Sequence, residues 1–591
     1  MKALKSFIKK HAIAIIFACI AGVISIAPQV AFIFSPNSGY QGIPILATAN
    51  EDAYLTRMKE IIDGHPKTGS AWLYEYKNTP PLLPPVSEMI WVGMGSAMFL
   101  SVVNTVVVMK FFLPMVLFFL VYLLIHRLIG EEGMLSKMTS IAGAAFVTLG
   151  YDLVDYKTAI DVFFGRRMLS GFLVWTRPVN PINGAILLFS FLLVLWSLIK
   201  NASRKKIIAA AVIFLLAVVT YFFTWAIALS IACVLILLHL LRKKYTVAKS
   251  LAAIVLLGAL LGIPYFIIVM SASRHPWYED SSARIGLIYG REMIFNKMIL
   301  ASFAVFAIMS IILYRKHGWK KIQESEWWWF SLALLLASVW VFSQQAFTGV
   351  SVWPPHFVQY TIPISVVAVM VVLHKTLNRA PSFIMKGVMV VIISASVFYG
   401  AYGQNMGYVV NFDSFQKLQG AMDVYDWLNE NTKKDSVVLS VTEDHRVNDY
   451  VTVYTENNVY FTRNIVSLIP TERLAHNYMV QLRFMEIAPQ ELDEYLNANT
   501  IGYRAHFGGI EDFKEIRATE IFEKNKNIVP DRYPEFYENN FLDELQRYRL
   551  DYVVADRDLR ETEDLEGLVF LKRINAYYIY GFQGVKGEGT E

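Results

Sequence analysis

Residues 11–57 read HAIAIIFACIAGVISIAPQVAFIFSPNSGYQGIPILATANEDAYLTR. The first part, His11 to Phe34, holds no Lys, Arg, Asp or Glu and is long enough to cross a hydrocarbon core about 30 Å thick. Lys2, Lys5, Lys9 and Lys10 precede it. No small-residue cleavage pattern interrupts it, so it reads as a retained anchor rather than a removed signal. Beyond it come Asn50-Glu51-Asp52 and an amphipathic stretch, Tyr54 to Asp63, that reads as a helix ending at Gly64-His65-Pro66. A membrane span followed by an acidic pair on a surface helix frames the rest of the chain.

The 591 residues are 55% hydrophobic and 17% charged. A soluble globular chain carries about a quarter charged residues, so the composition points to an integral membrane protein. Eleven apolar spans are expected, at about 11–34, 105–127, 138–152, 181–199, 207–222, 224–241, 250–271, 296–314, 327–343, 357–374 and 384–402. Basic residues recur in every second loop: Arg127 and Lys137, Lys200 with Arg204–Lys206, Arg242–Lys244, Arg315 with Lys316, and Lys375 with Arg379. The positive-inside bias then makes the N-terminus cytoplasmic. Loops 35–104, 153–180, 272–295 and 344–356 and the tail fall on the extracytoplasmic side of a plasma (inner) membrane that the chain crosses many times. The pair of spans near 207–241 reads as a tight hairpin. Ser87 to Val103 reads as an interfacial helix, because another span there would break the alternation of basic loops.

The net charge of +5 hides an asymmetry: residues 411–591 hold 20 Lys and Arg against 33 Asp and Glu, whereas residues 1–410 hold 34 against 16. The basic excess lies in short loops between spans, so no nucleic-acid partner is needed to explain it. Residues 1–402 read as the multi-span domain and 411–585 as a soluble α/β or α+β domain. In the latter, helices are expected at 415–431, 472–497 and 536–548. Strands are expected at 436–441, 450–454, 459–461, 551–555 and 576–580. Cys19 and Cys233 both lie in apolar spans, so neither a disulfide framework nor a cysteine metal site follows. No phosphate-binding glycine loop is present.

The residues able to carry chemistry gather on the outer side. Asp52 or Glu51 could take a proton or hold a metal, and both also suit the start of a helix, where its dipole favours negative charge. Arg166, Arg167, Arg177, Arg274, Arg291 and His356 are candidates for binding phosphate. Arg177, in Trp175-Thr-Arg-Pro-Val-Asn-Pro181, leads them; pairing with Asp152, Asp155 or Asp161 is its structural alternative. Asp155 could join Asp52 at a divalent metal, Mg²⁺ or Mn²⁺.

The acidic motif after the first span, the long first outer loop, the eleven or so spans and the soluble tail together resemble the GT-C superfamily of membrane glycosyltransferases. The likeness is to the protein O-mannosyltransferase, aminoarabinose transferase and family 39-like group. The resemblance implies a GT-C-like polytopic α-helical fold and transfer of a sugar from a polyprenyl-phosphate-linked donor to a protein, lipid or glycan acceptor. It implies that Asp52 is the base or metal ligand, with Glu51 as its neighbour. The chain lacks a WWDYG-like acceptor motif and the β-trefoil-like repeats of eukaryotic O-mannosyltransferases. A transporter or flippase and a non-catalytic envelope assembly protein are the alternatives; the scarcity of ionisable groups within the spans argues against a carrier.

Overall fold

The computed structural model describes residues 2–67, 69–166, 171–377, 381–463, 466–508, 516–561, 565 and 567–582. Among them, eight helices are long and apolar enough to cross a membrane, and a bent pair, Tyr245–Leu261 with Ile263–Ser273, makes a ninth if counted as one span. The two remaining expected spans are helices of 15 and 17 residues, Met134–Thr148 and Arg204–Thr220. The chain is a multi-pass membrane protein, and every expected span position is occupied by helix.

Five helices frame the region of interest: α1 (Lys2–Phe34), α2 (Glu51–Ile62), α3 (Val86–Ala97), α4 (Val102–Ile129) and α5 (Met134–Thr148). The Ser101 side chain accepts from Asn104 N and so caps α4, which ends where Gly130 turns left-handed at φ 66°. At 12 residues, α3 is too short to span a bilayer, and it buries Ser87, Glu88, Trp91 and Gly95. The chain breaks at Tyr221 between Arg204–Thr220 and Phe222–Leu241, and both helices pack on Tyr245–Leu261.

The last membrane helix, Ser382–Leu418, has 37 residues. At 1.5 Å per residue it is longer than a bilayer core is thick, so it carries the chain out of the membrane region and into the tail. Gln404 on this helix ties it to the first span, donating to Ser25 O at 2.8 Å while accepting from Leu173 N at 2.9 Å. Loops on the tail side are joined by a short antiparallel pair, β1 (Leu287–Tyr289) with β2 (Val350–Val352).

The tail holds a five-stranded mixed sheet of β3 (Val437–Val441), β4 (Asn458–Val459), β5 (Tyr552–Ala555), β6 (Leu568–Ile574) and β7 (Tyr577–Phe582), in the order β4-β3-β5-β7-β6. β4, β3 and β5 run parallel, and β7 and β6 complete the sheet antiparallel. The long loop after the first span closes one edge, since Val459 N donates to Trp72 O at 3.0 Å.

Three expectations for the tail need correction. The run Tyr450-Val-Thr-Val-Tyr454 belongs to a helix, Arg446–Tyr454, which buries Val447, Tyr450 and Val451 on one face. Its β-branched content reads as strand, but the 3–4 residue spacing of its apolar positions decides the packing. The helix expected over 472–497 stops at Phe484, because Glu486 takes φ 59° and Pro489 opens a new turn. The helix expected over 536–548 divides at Asn540, whose side chain accepts from Asp543 N at 3.0 Å.

Candidate functional site

α2 begins at Glu51, so the acidic pair forms its first turn. Helical spacing gives this helix two faces. Glu51 and Tyr54 point to the membrane helices, whereas Asp52, Thr56 and Glu60 point to the tail.

On the membrane face, Glu51 Oε1 lies 2.6 Å from Lys110 Nζ of α4, with both side chains 1% exposed. The other Glu51 oxygen accepts from Thr48 N at 2.9 Å and Thr48 Oγ1 at 2.7 Å, which fastens the turn entering the helix. Further along, Arg57 pairs with Glu88 of α3 at 2.7 Å and donates to Leu83 O at 2.7 Å. Glu51 is therefore an anchor, bound on both oxygens. Lys110 gave a signal in the sequence, as a lone lysine inside an apolar run asks for a partner.

Arg177 approaches the same face. Its guanidinium carbon lies 5.5 Å from the centre of the Tyr54 ring. Its Nε is buried and has no hydrogen-bond partner. Among the described residues no carboxylate lies within ion-pair distance of it. Tyr221, Tyr360 and His356 stand within its electrostatic reach. Tyr360 OH donates to Pro181 O at 3.1 Å, fixing the turn that follows Arg177. A half-buried guanidinium beside a tyrosine ring, with no carboxylate among the described residues to neutralise it, is suited to an anion.

On the tail face, Thr56 Oγ1 and Thr452 Oγ1 are hydrogen-bonded at 2.7 Å in a buried contact. One turn before each threonine comes an aspartate, Asp52 on α2 and Asp449 on the tail helix. Asp52 is half-buried, and Asp449 is 8% exposed. Burial first, and then the negative charge of Asp52, push the Asp449 carboxyl up to about 7, with Arg463 pulling it back. Farther along α2, Lys77 lies 3.1 Å from Glu60 and 2.5 Å from Asp435, joining α2 to the tail sheet.

The remaining candidates are scattered. Arg166 is exposed, 5.3 Å from the Phe164 ring; Arg274 is exposed; Arg291 is exposed, its Nη1 3.5 Å from Ala346 O. Arg167 lies outside the described residues. His356 is wedged between Phe223 and Trp353, with ring centres at 5.0 and 4.7 Å. Asp155 caps the helix Tyr156–Phe163 through Lys157 N and Thr158 Oγ1. Asp152 accepts from Tyr399 OH at 3.3 Å. Among the described residues no group of three or more His, Cys, Asp and Glu side chains is arranged to hold a metal ion.

No family model and no curated protein matches the sequence. Among solved structures the chain is similar to ArnT from Cupriavidus metallidurans bound to undecaprenyl phosphate, at 11% identity over 98% of this chain and 100% of that one, with a TM-score of 0.47. It is also similar to the archaeal oligosaccharyltransferase AglB from Archaeoglobus fulgidus in complex with an inhibitory peptide and a dolichol-phosphate. There the identity is 12%, over 94% of this chain and 70% of that one, with a TM-score of 0.44.

Proposed function

We propose that the protein is a glycosyltransferase that moves a sugar from a polyprenyl-phosphate-linked donor to an acceptor hydroxyl, on the face of the membrane that carries the tail. The observation that carries this reading is the division of labour on α2. Two residues apart, the helix presents a half-buried carboxylate, Asp52, on its tail face and a tyrosine, Tyr54, on its membrane face, the latter beside a guanidinium that lacks a carboxylate partner among the described residues. These are the two groups that sugar transfer from a lipid phosphate requires.

In the proposed reaction, Asp52 accepts the proton of the acceptor hydroxyl as its oxygen bonds to the anomeric carbon. The bond between that carbon and the phosphate oxygen breaks, and the electron pair leaves with the lipid phosphate. Arg177 and the phenol of Tyr54 hold the departing phosphate, where low dielectric strengthens each charge-assisted bond. In-line displacement inverts the anomeric centre. Glu51, held by Lys110 and Thr48, keeps the first turn of α2 in register with the spans.

Binding of undecaprenyl phosphate to the full-length protein, measured by native mass spectrometry from nanodiscs, tests the division of roles. Arg177→Ala is expected to weaken binding by roughly 10-fold or more, the worth of a hydrogen bond to a charged group, and Asp52→Asn to leave it intact. Equal loss in both variants, or in neither, counts against the assignment.

A further inference from the structure

The tail holds a cleft of about 290 Å³ between the helices Thr471–Phe484, Ile528–Glu538 and Phe541–Gln546. That is the small end of ligand-binding clefts, with room for one compact unit and not for a lipid tail or a length of peptide. Two aromatic rings, Phe536 and Tyr548, form part of its wall. Tyr548 is held in place: the guanidinium carbon of the buried Arg473 lies 4.0 Å from its ring centre. Arg473 in turn donates to Tyr460 O at 2.8 Å and stands 3.7 Å from Glu75, in the long loop after the first span. The ring is therefore fixed before any ligand arrives.

The polar groups of the cleft keep hydrogen-bonding capacity in reserve. Glu472, Arg532 and Glu535 are exposed at its rim, and no hydrogen bond or ion pair joins any of them to another described residue. Deeper in, Glu544 Oε1 accepts from Asn539 Nδ2 at 2.8 Å. Its Oε2 is buried without a hydrogen-bond partner, with Arg547 Nη1 at 3.8 Å. His476 Nδ1 lies 3.9 Å from that oxygen, too far for a direct hydrogen bond, and is buried without a partner as well. The other ring nitrogen is taken by the Tyr460 hydroxyl at 2.8 Å. Burial first, then the charges of Arg473 and Arg547, lower the His476 imidazole to about 3, so the ring is neutral. A ligand hydroxyl reaching between Nδ1 and Oε2 would satisfy both atoms, because a hydroxyl donates and accepts at once.

The balance of charge narrows the ligand. Glu472, Glu535 and Glu544 outnumber Arg532 and Arg547 by one, which disfavours a phosphate or another anion. Carboxylate, guanidinium and carboxamide are planar groups with paired donors or acceptors, and they match neighbouring hydroxyls on one ring. An aromatic wall covers the apolar C–H face of such a ring.

We propose that this cleft is a binding site for one unit of a neutral saccharide. The site lies within the tail, goes beyond the transferase reading and does not depend on it. The sugar ring packs a C–H face on Tyr548, one hydroxyl bridges His476 and Glu544, and Arg532 and Glu535 bond further hydroxyls at the rim.

Ligand-observed saturation-transfer NMR titrations on the full-length protein in nanodiscs test the site. The probes are glucose, galactose, mannose and N-acetylglucosamine, with glycine and alanine as zwitterionic controls. The measurement needs neither a donor lipid nor turnover, so its outcome is separate from that of the transferase reading. At least one sugar should bind, and neither amino acid should. Arg532→Ala and Glu535→Ala remove exposed side chains and should leave thermal unfolding unchanged, yet each should weaken that sugar roughly 10-fold. Arg177→Ala should not weaken it. Absence of binding by every sugar overturns the proposal. Sugar binding that survives in both rim variants overturns it too, since the sugar would then sit elsewhere. Amino-acid binding that the rim variants abolish would assign the cleft to a zwitterion and overturn the saccharide.

Discussion

The Glu51 carboxylate lies 2.6 Å from the Lys110 ammonium, and each side chain is 1% exposed. This ion pair joins the first-loop helix to a membrane span and so fixes the height at which Asp52 stands. Breaking one side of a buried pair leaves an uncompensated charge, which costs about 3–5 kcal/mol. Lys110→Met and Glu51→Gln are each expected to lower the unfolding temperature in detergent markedly. The double variant should recover part of the loss. Single variants as stable as the wild type would show that the pair does not anchor α2.

Arg177 meets the Tyr54 ring and has a buried Nε without a partner. A lysine there keeps the charge but loses the planar fork of donors. Arg177→Lys is therefore expected to raise KM for the lipid-linked donor by roughly 10-fold while changing kcat less. Steady-state kinetics with varied donor check this; an unchanged KM contradicts it.

Gly184, near the start of the helix Ile182–Lys200, lies where a Cβ would run into Thr224 Oγ1 and the Tyr360 hydroxyl. Overpacking of this kind costs about 1–3 kcal/mol. Gly184→Ala should lower stability and weaken donor binding together, because Tyr360 also holds Pro181 O in the turn after Arg177. A stable variant with normal binding would mean the helices separate freely at this point.

The Glu60–Lys77–Asp435 cluster gives a pH dependence with a definite sign. Burial raises the Glu60 carboxyl from its usual 4.5 to about 7, against the pull of Lys77. The folded state thus holds this proton more tightly than the unfolded chain. The Glu60 contribution to stability is greatest below pH 4.5, falls as pH rises to about 7 and is level beyond. Lys77→Met removes the opposing cation, so the decline should continue above pH 7. Melting curves from pH 5 to 9 check this, and parallel curves for the two proteins contradict it.

The membrane architecture was legible because a bilayer imposes runs of about twenty apolar residues, a pattern visible in a single sequence. Arg204–Thr220 and Phe222–Leu241 were separable by their basic flanks, although only Tyr221 divides them. The tail was less legible. In Tyr450–Tyr454 a β-branched run concealed a helix, and the alternation of β6 is broken by the adjacent Lys572 and Arg573. For the site, Asp52 and Arg177 could be singled out as charges on the loop side. The partners of the acidic pair could not, since they come from remote segments: the Thr56–Thr452 contact that brings Asp449 to α2 spans 396 residues. Lys110 could have been found by asking what a solitary ammonium does inside a span.

The most direct measurement is release of polyprenyl phosphate from a radiolabelled polyprenyl-phosphate sugar in native membrane vesicles holding the full-length protein. Such vesicles carry the acceptor, so its identity need not be known. The account predicts release by the wild type and a loss of roughly 100-fold or more in Asp52→Asn, on the scale of general-base catalysis, with the variant still folded and still binding undecaprenyl phosphate. Release at the wild-type rate by Asp52→Asn would contradict it.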